Sequence, residues 1–444
     1  MNPMKEIGFQ KLFNILKNCA KEFKDDRNQD KAQYSPETIL SSAFAVFFTQ
    51  SESFLNYNRR LEEEHNQKHN LQSIFGVENI PSDNQIRNFL DTQEASAFDS
   101  VFSECYKLSK ETGLLDSYKG LDGRTFIAID GTQYFSSKNI SCNQCLQTNH
   151  TNGETTFHHR MVTPVVTHPN MSYVLSLMPE FIVNDGDKYN KQDCEINASK
   201  RWLSKNIAFL QGEKAVILGD DLYSRQPFCK MLIENNLDYI FTCKQSSHTK
   251  MFETIDAIGT GMSLVETEFL VKNKKQFASY EFVNDIRITD EKDSLKSNFV
   301  KVSITDAKGK KVYKGAFITS ITVTRENVAQ IVAHARSRWK VENENNNVLK
   351  KHGYNLEHNF GHGKHNLSCI LALLNIIAFL FHTLLDLKNE YYQKARQRKG
   401  ARYNFFNAFA QTLNVLVFDS FEILIEFLAY TERFQTNTIK IPDG

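Results

Sequence analysis

Along the first 118 residues, apolar positions recur at helical spacing. The runs 39–48 and 98–108 show it best, and they predict helices. Between them, Ile80-Pro81-Ser82-Asp83 precedes a short amphipathic run, and Ser82 or Asp83 is placed to cap the helix that follows. The texture changes near residue 125. Thr125-Phe126-Ile127-Ala128-Ile129 is a β-rich run that ends in Asp130. Two more strand-like runs, 161–167 and 172–177, flank the turn His168-Pro169-Asn170. A helix over about 192–206 leads to the apolar strand Ala215-Val216-Ile217-Leu218, which ends in Gly219-Asp220-Asp221. A helix at 227–235 and a strand at 239–243 complete this series. Residues 262–320 are strand-rich again, with candidates at 277–288, 299–304 and 312–321. A long helix starts near Thr324.

The order is β, β, β, α, β, α, β. The first three strands form an antiparallel meander and the later ones are joined through helices. This is the order of an α/β fold with an RNase H-like mixed sheet. Its first and fourth strands lie side by side at the centre, so their ends bring Asp130 and Asp220 together. The stretch 246–315 reads as an inserted β region whose last strand returns to the main sheet. The expected organisation is a helical N-terminal domain over 1–118, an RNase H-like domain over 119–385 and a C-terminal helical region over 386–444.

Composition alters this picture little. A chain of 444 residues is too long for one compact core, so about two to four domains are expected. Hydrophobic residues at 41% and charged residues at 24% are ordinary for a soluble globular protein. A net charge of +1 argues mildly against a nucleic-acid partner. It hides one basic stretch: Lys388, Lys394, Arg396, Arg398, Lys399 and Arg402 face a single Glu390. Such a segment neutralises phosphates or is simply a solvated helix face. The N-terminus lacks a signal-peptide pattern, and eight scattered cysteines do not form a disulfide framework, so a reducing cytoplasm is expected. The most membrane-like run, 370–387, contains Asn375, His382 and Asp386. It reads as a buried core helix, with no membrane partner.

Asp130 and Asp220 each end an apolar strand, where a carboxylate usually just caps a turn. Glu342 carries a separate argument. Val328, Val332, Ala335 and Trp339 step by four, three and four residues along one helical face. Continuing that stripe places Glu342 toward the core, where an ionised carboxylate needs a cation. Arg338, one turn earlier, is the simple ion-pair alternative. Glu344 points to the opposite side. Three clustered carboxylates are hard oxygen ligands suited to two Mg²⁺ or Mn²⁺ ions, and phosphodiester chemistry uses that arrangement.

At these residues the chain resembles the DDE transposases of bacterial insertion sequences, in the branch with a β insertion before the glutamate. The matching blocks are Ala128-Ile129-Asp130-Gly131-Thr132, Leu218-Gly219-Asp220-Asp221-Leu222-Tyr223-Ser224 and Arg336-Ser337-Arg338-Trp339-Lys340-Val341-Glu342-Asn343-Glu344. The resemblance implies that Asp130, Asp220 and Glu342 are catalytic and hold the metal. It implies nicking at the element's DNA ends, joining of the freed 3′ hydroxyl to target double-stranded DNA, and action as a homodimer. The helical N-terminal region is then a candidate for DNA-end binding, and the C-terminal region for DNA or dimer contacts. Arg338, Trp339, Tyr223, Lys350 and Lys244 are candidate DNA contacts. Trp339 and Tyr223 are placed to stack on a displaced base, with core packing favoured for Trp339. The chain departs from the family at two places. Ala335 stands where a tyrosine is usual. Leu349 stands at the lysine position, with Lys350 beside it but turned about 100° around a regular helix. Asp221 is the alternative second acid. The competing functions are a DNA-binding remnant without activity and an RNase H-like nuclease that cuts without joining.

Cys142 and Cys145 form a C-x₂-C pair followed by His150, His158 and His159, ligand types that suit a structural Zn²⁺. The alternative is a loop with reduced thiols. His358, His362 and His365 read as surface or phosphate-contacting residues.

Overall fold

A computed structural model describes residues 6–63, 65–184 and 192–430; part of the C-terminal helical region, 431–444, lies outside the described residues. The strands in chain order are β1 (Phe126–Ala128), β2 (Gly131–Ser137), β3 (Leu146–Asn149), β4 (Thr155–Val162), β5 (Val165–Thr167), β6 (Leu175–Ser176), β7 (Glu180–Ile182), β8 (Val216–Gly219), β9 (Asp238–Thr242), β10 (Ser263–Val271), β11 (Lys274–Arg287), β12 (Lys296–Asp306) and β13 (Lys311–Thr319).

Nine of them make one sheet in the order β10-β11-β12-β13-β9-β8-β1-β5-β6. The expected core is present. β1 pairs antiparallel with β5 and parallel with β8, and β8 pairs parallel with β9. β1, β5 and β8 are buried throughout, as central strands covered on both faces must be. The inserted β region is not a separate layer. Its hairpins extend the same sheet, and β13 returns to β9 with Phe317 opposite Thr242.

The predicted strand 161–167 is two strands. Pro164 has no amide to donate, so the ladder breaks there. The chain passes from β4, in a second sheet of order β2-β4-β3 with β7 on β4, to β5 in the main sheet. That second sheet was not expected; the sequence reads as a loop there. Its strands carry polar residues such as Gln133, Ser136, Gln147 and Thr148, which do not alternate cleanly with apolar ones.

The helices before residue 118 form as the pattern predicts. Ser82 caps Asp83–Leu90 in a reciprocal capping box with Gln85. They share one core with the C-terminal helices: Phe9 stacks on Phe421 at 4.4 Å, and Phe48 lies on His382 at 4.3 Å. The helix Leu367–Lys388 is apolar and long enough to cross a membrane, yet every residue from Leu367 to Leu385 is buried inside protein. The basic stretch is largely committed to packing. Arg396 pairs with Asp386 at 3.3 Å, Lys394 with Glu390 at 2.5 Å, and the Arg402 guanidinium lies over the Tyr173 and Phe379 rings.

Candidate active site and a second ligand cluster

Asp130 and Asp220 leave the sheet side by side. Ala128 stands opposite Leu218 in the parallel ladder, and the Ile129 amide extends it to the Leu218 carbonyl at 2.9 Å. Each aspartate follows its register residue by two positions. They therefore emerge from adjacent strands, about 4.8 Å apart in such sheets, at the carboxyl edge where open α/β sheets place their sites.

The pair Asp220-Asp221 divides into two roles. Asp221 is buried and accepts from the Lys244 amide at 2.6 Å and from the Ser247 hydroxyl, so it ties down the loop after β9. The Asp220 carboxylate accepts the Leu222 amide at 2.8 Å and stays partly open.

The buried stripe expected to carry Glu342 does not persist. Val328, Val332 and Ala335 are buried, but Trp339 is 44% exposed and Glu342 is exposed. The helix Val328–Ser337 gives way to a π-helical segment, Val341–Asn346, before Asn347–Lys351. A π turn takes one more residue than an α turn and shifts the phase of every later position. The inward positions become Val341, Asn345, Asn346, Val348 and Leu349. Glu342 is exposed and adds to the negative field felt by Asp130, and no ion pair joins it to Arg338 among the described residues. Leu349, at the family's lysine position, is fully buried, while Lys350 beside it is half-buried. Lys350 is ion-paired to Glu357 at 2.9 Å.

Buried asparagines hold this segment. Asn346 accepts from the Thr163 hydroxyl and from the Asn345 amide, both at 2.9 Å, and Asn345 accepts from Ser176 at 2.9 Å. The Thr163 amide also donates to the Asp130 carbonyl at 2.9 Å, so one residue couples Asp130 to the helix of Glu342. Lys340 fixes the other side, donating to the carbonyls of His168, Pro169 and Met171. Replacing Asn346 by alanine removes the acceptor of the buried Asn345 amide and leaves the Thr163 hydroxyl only the Asp130 carbonyl, at 3.2 Å. The expected loss is about 1–3 kcal/mol, read as a lower denaturant midpoint.

Neighbouring carboxylates act on Asp130. Asp130 is pushed up to about 7 by burial first and then by Glu195, with Asp220 and Glu342 adding and Arg338 opposing. Glu195, absent from the expected set, begins the helix Glu195–Gly212. It accepts from the Tyr223 hydroxyl at 2.8 Å and from Arg160 at 3.2 Å. Gly131 makes room for it, because a Cβ there would collide with the Glu195 carboxylate.

The two aromatic candidates exchange roles. Tyr223 is fully buried, its ring against Gly219 and its hydroxyl on Glu195 and Ser199, so it cannot stack on a base. Trp339 is the open one. The Lys244 side chain is exposed and Arg338 is half-buried.

A second group of ligand atoms lies on the other sheet. Cys142, Cys145, His159 and His362 bring their Sγ and Nε2 atoms within 4.8 Å of one another. Cys142 and Cys145 stand as expected, and of the expected histidines only His159 joins them. His150 is exposed and bonds Thr156, and His158 is the neighbour of His159 on β4. The fourth member corrects the surface reading of His362, which is 7% exposed. It reaches the cluster from the loop after the glutamate helix, a proximity that spacing in sequence does not reveal.

Residues 166–380 match the family model described as "Transposase DDE domain". The matched span contains Asp220 and Glu342 and begins beyond Asp130, whose place beside Asp220 comes from the strand register. No curated protein matches the chain.

Proposed function

With residues 166–380 a transposase DDE domain, we propose that this chain cuts DNA at the ends of a mobile element and joins the freed 3′ hydroxyl to target DNA, using Asp130, Asp220 and Glu342. One observation supports the reading: the β1–β8 register brings Asp130 and Asp220 out at the ends of neighbouring strands, where both Asp220 and the exposed Glu342 push the Asp130 carboxyl up.

The donor set fits hard divalent cations. All three groups are carboxylates, and their mutual repulsion around a half-buried Asp130 is relieved by positive charge. Two Mg²⁺ or Mn²⁺ ions held there would activate the attacking oxygen and stabilise the leaving one. The chain's own residues do the rest. Thr163, Asn345 and Asn346 hold Glu342 against the strand of Asp130. Glu195, fixed by Tyr223 and Arg160, keeps the floor of the site negative, so that Asp130 binds either a proton or a cation. Arg338, Lys350 and Lys244 would meet phosphates, and Trp339 would stack on a base displaced from the duplex. A homodimer spanning two double-stranded ends completes the reading.

The test is incubation of the full chain with DNA carrying the inverted repeats that flank its coding sequence. Cleavage at the repeat ends with Mg²⁺ or Mn²⁺, and none with chelator, is expected. DNA retention without cleavage in either metal would instead identify a binding protein.

A further inference from the structure

We propose that Cys142, Cys145, His159 and His362 bind one structural Zn²⁺, which clasps the sheet that starts beside Asp130 to the loop that follows the helix of Glu342.

The argument is geometric. Tetrahedral zinc with Zn–S of about 2.3 Å and Zn–N of about 2.0–2.1 Å requires edges of about 3.8 Å for S···S, about 3.5–3.6 Å for S···N and about 3.3–3.4 Å for N···N. The Cys142 and Cys145 sulfurs are 3.8 Å apart. His159 Nε2 lies 3.6 Å from Cys142 Sγ and 3.4 Å from Cys145 Sγ. His362 Nε2 lies 3.5 Å from Cys145 Sγ and 3.2 Å from His159 Nε2. These five edges of the tetrahedron agree with that ion to within about 0.2 Å, the tolerance expected of a real site. Packing alone has no reason to aim two thiols and two imidazole nitrogens at a common centre.

The surroundings agree. Cys145 and His159 are each 1% exposed and His362 is 7% exposed, so the centre is sheltered. The Cys142 amide points at Cys145 Sγ at 3.4 Å, which suits a thiolate. His362 Nδ1 lies 3.2 Å from the Gly363 carbonyl, which directs Nε2 to the metal. Four protein ligands leave no open position, and a closed set marks a structural site.

The connectivity gives the site its consequence. Cys142 and Cys145 sit between β2 and β3, and His159 is on β4; β2 begins at Gly131, directly after Asp130. His362 belongs to the segment between the helices Asn347–Lys351 and Leu367–Lys388. The ion therefore joins the chain leaving one acid to the chain leaving another, in parallel with the Thr163–Asn346 link.

The experiment measures metal in the full chain purified under reducing conditions without added metal. One zinc per chain is expected, released when the thiols are modified. Exchange for Co²⁺ should give the thiolate charge-transfer and strong visible bands of a tetrahedral site. Cys145→Ser and His362→Ala should lower zinc occupancy at least about tenfold. His362→Cys, which keeps a four-ligand set, should retain it, as should a control change at the exposed Cys194→Ser. The Co²⁺ spectrum and the His362→Cys rescue keep the test decisive if a ligand deletion fails to fold. Soluble wild-type protein that neither contains nor takes up Zn²⁺ or Co²⁺ would overturn the proposal, as would a Cys142–Cys145 disulfide or full zinc occupancy in Cys145→Ser. None of these readouts depends on DNA cleavage, so the site stands or falls apart from the proposed activity.

Discussion

Alanine at Asp130 or Asp220 is expected to lower metal-dependent cleavage of the element's ends by about a thousandfold or more, a loss of about 4 kcal/mol of transition-state stabilisation. Retention of the same DNA in a gel shift should change little. The reason is the sign of the charges. A carboxylate repels a phosphate, so removing one weakens nothing in simple binding, while it removes a ligand from the cations that the displacement requires. Alanine at Asp221 separates this account from its nearest rival. Asp221 is spent on Lys244 and Ser247, so that variant should lose stability first. Cleavage abolished by Asp221→Ala in a fully folded protein, with Asp220→Ala active, would reverse the assignment.

The second large effect concerns stability without metal. Asp130→Asn in chelator is expected to be more stable than the parent at pH 8, by on the order of 2 kcal/mol. The folded Asp130 carboxyl titrates near 7 against an ordinary 3.8. Between those values the folded state holds a proton that the unfolded state has released. The parent therefore gains stability as pH falls through 7 toward 4, and above 7 it bears the cost of an ionised carboxylate that is first of all buried and also lies near Glu195, Asp220 and Glu342. Asparagine removes that cost at every pH. The gap should be widest near pH 8, close toward pH 4, and narrow when Mg²⁺ is added. Thermal melts across that range read it directly. A destabilised Asp130→Asn at pH 8, or a gap independent of pH, would show that Asp130 is not a buried carboxylate beside other acids.

Both predictions rest on features that differ in how well local sequence reports them. β1 and β8 are short apolar runs, each closed by an acid. Buried parallel strands have that composition, so Asp130 and Asp220 stand out from the chain alone. The return of β13 to β9 is visible for the same reason. The buried stripe that singles out Glu342 in the sequence does not continue in the fold. The helical stripe extrapolates a constant 100° per residue, and the π segment at Val341–Asn346 breaks that constancy. The physical signal lies in the run Glu342-Asn343-Glu344-Asn345-Asn346-Asn347: so many polar side chains cannot continue an apolar face unless the backbone changes phase or the asparagines bury their amides on partners. Both occur.

Trp339 and Tyr223 exchange places for related reasons. The helix of the apolar stripe ends at Ser337, and the turn at Arg338 leaves the tryptophan exposed, while the bare face of Gly219 admits the tyrosine ring. The second sheet escapes notice because its strands are polar and edge-like. With it go Glu195 and the position of His362, which depend on contacts between segments far apart in sequence. No local pattern encodes those contacts.

The most direct trial of the three-acid site uses DNA ends already nicked, so that only the joining step is scored. With Mg²⁺, the wild-type chain should transfer the 3′ hydroxyl into target DNA, and the Glu342→Ala protein, folded and bound to the same ends, should form no joined product. Strand transfer by Glu342→Ala at the wild-type rate would contradict the account.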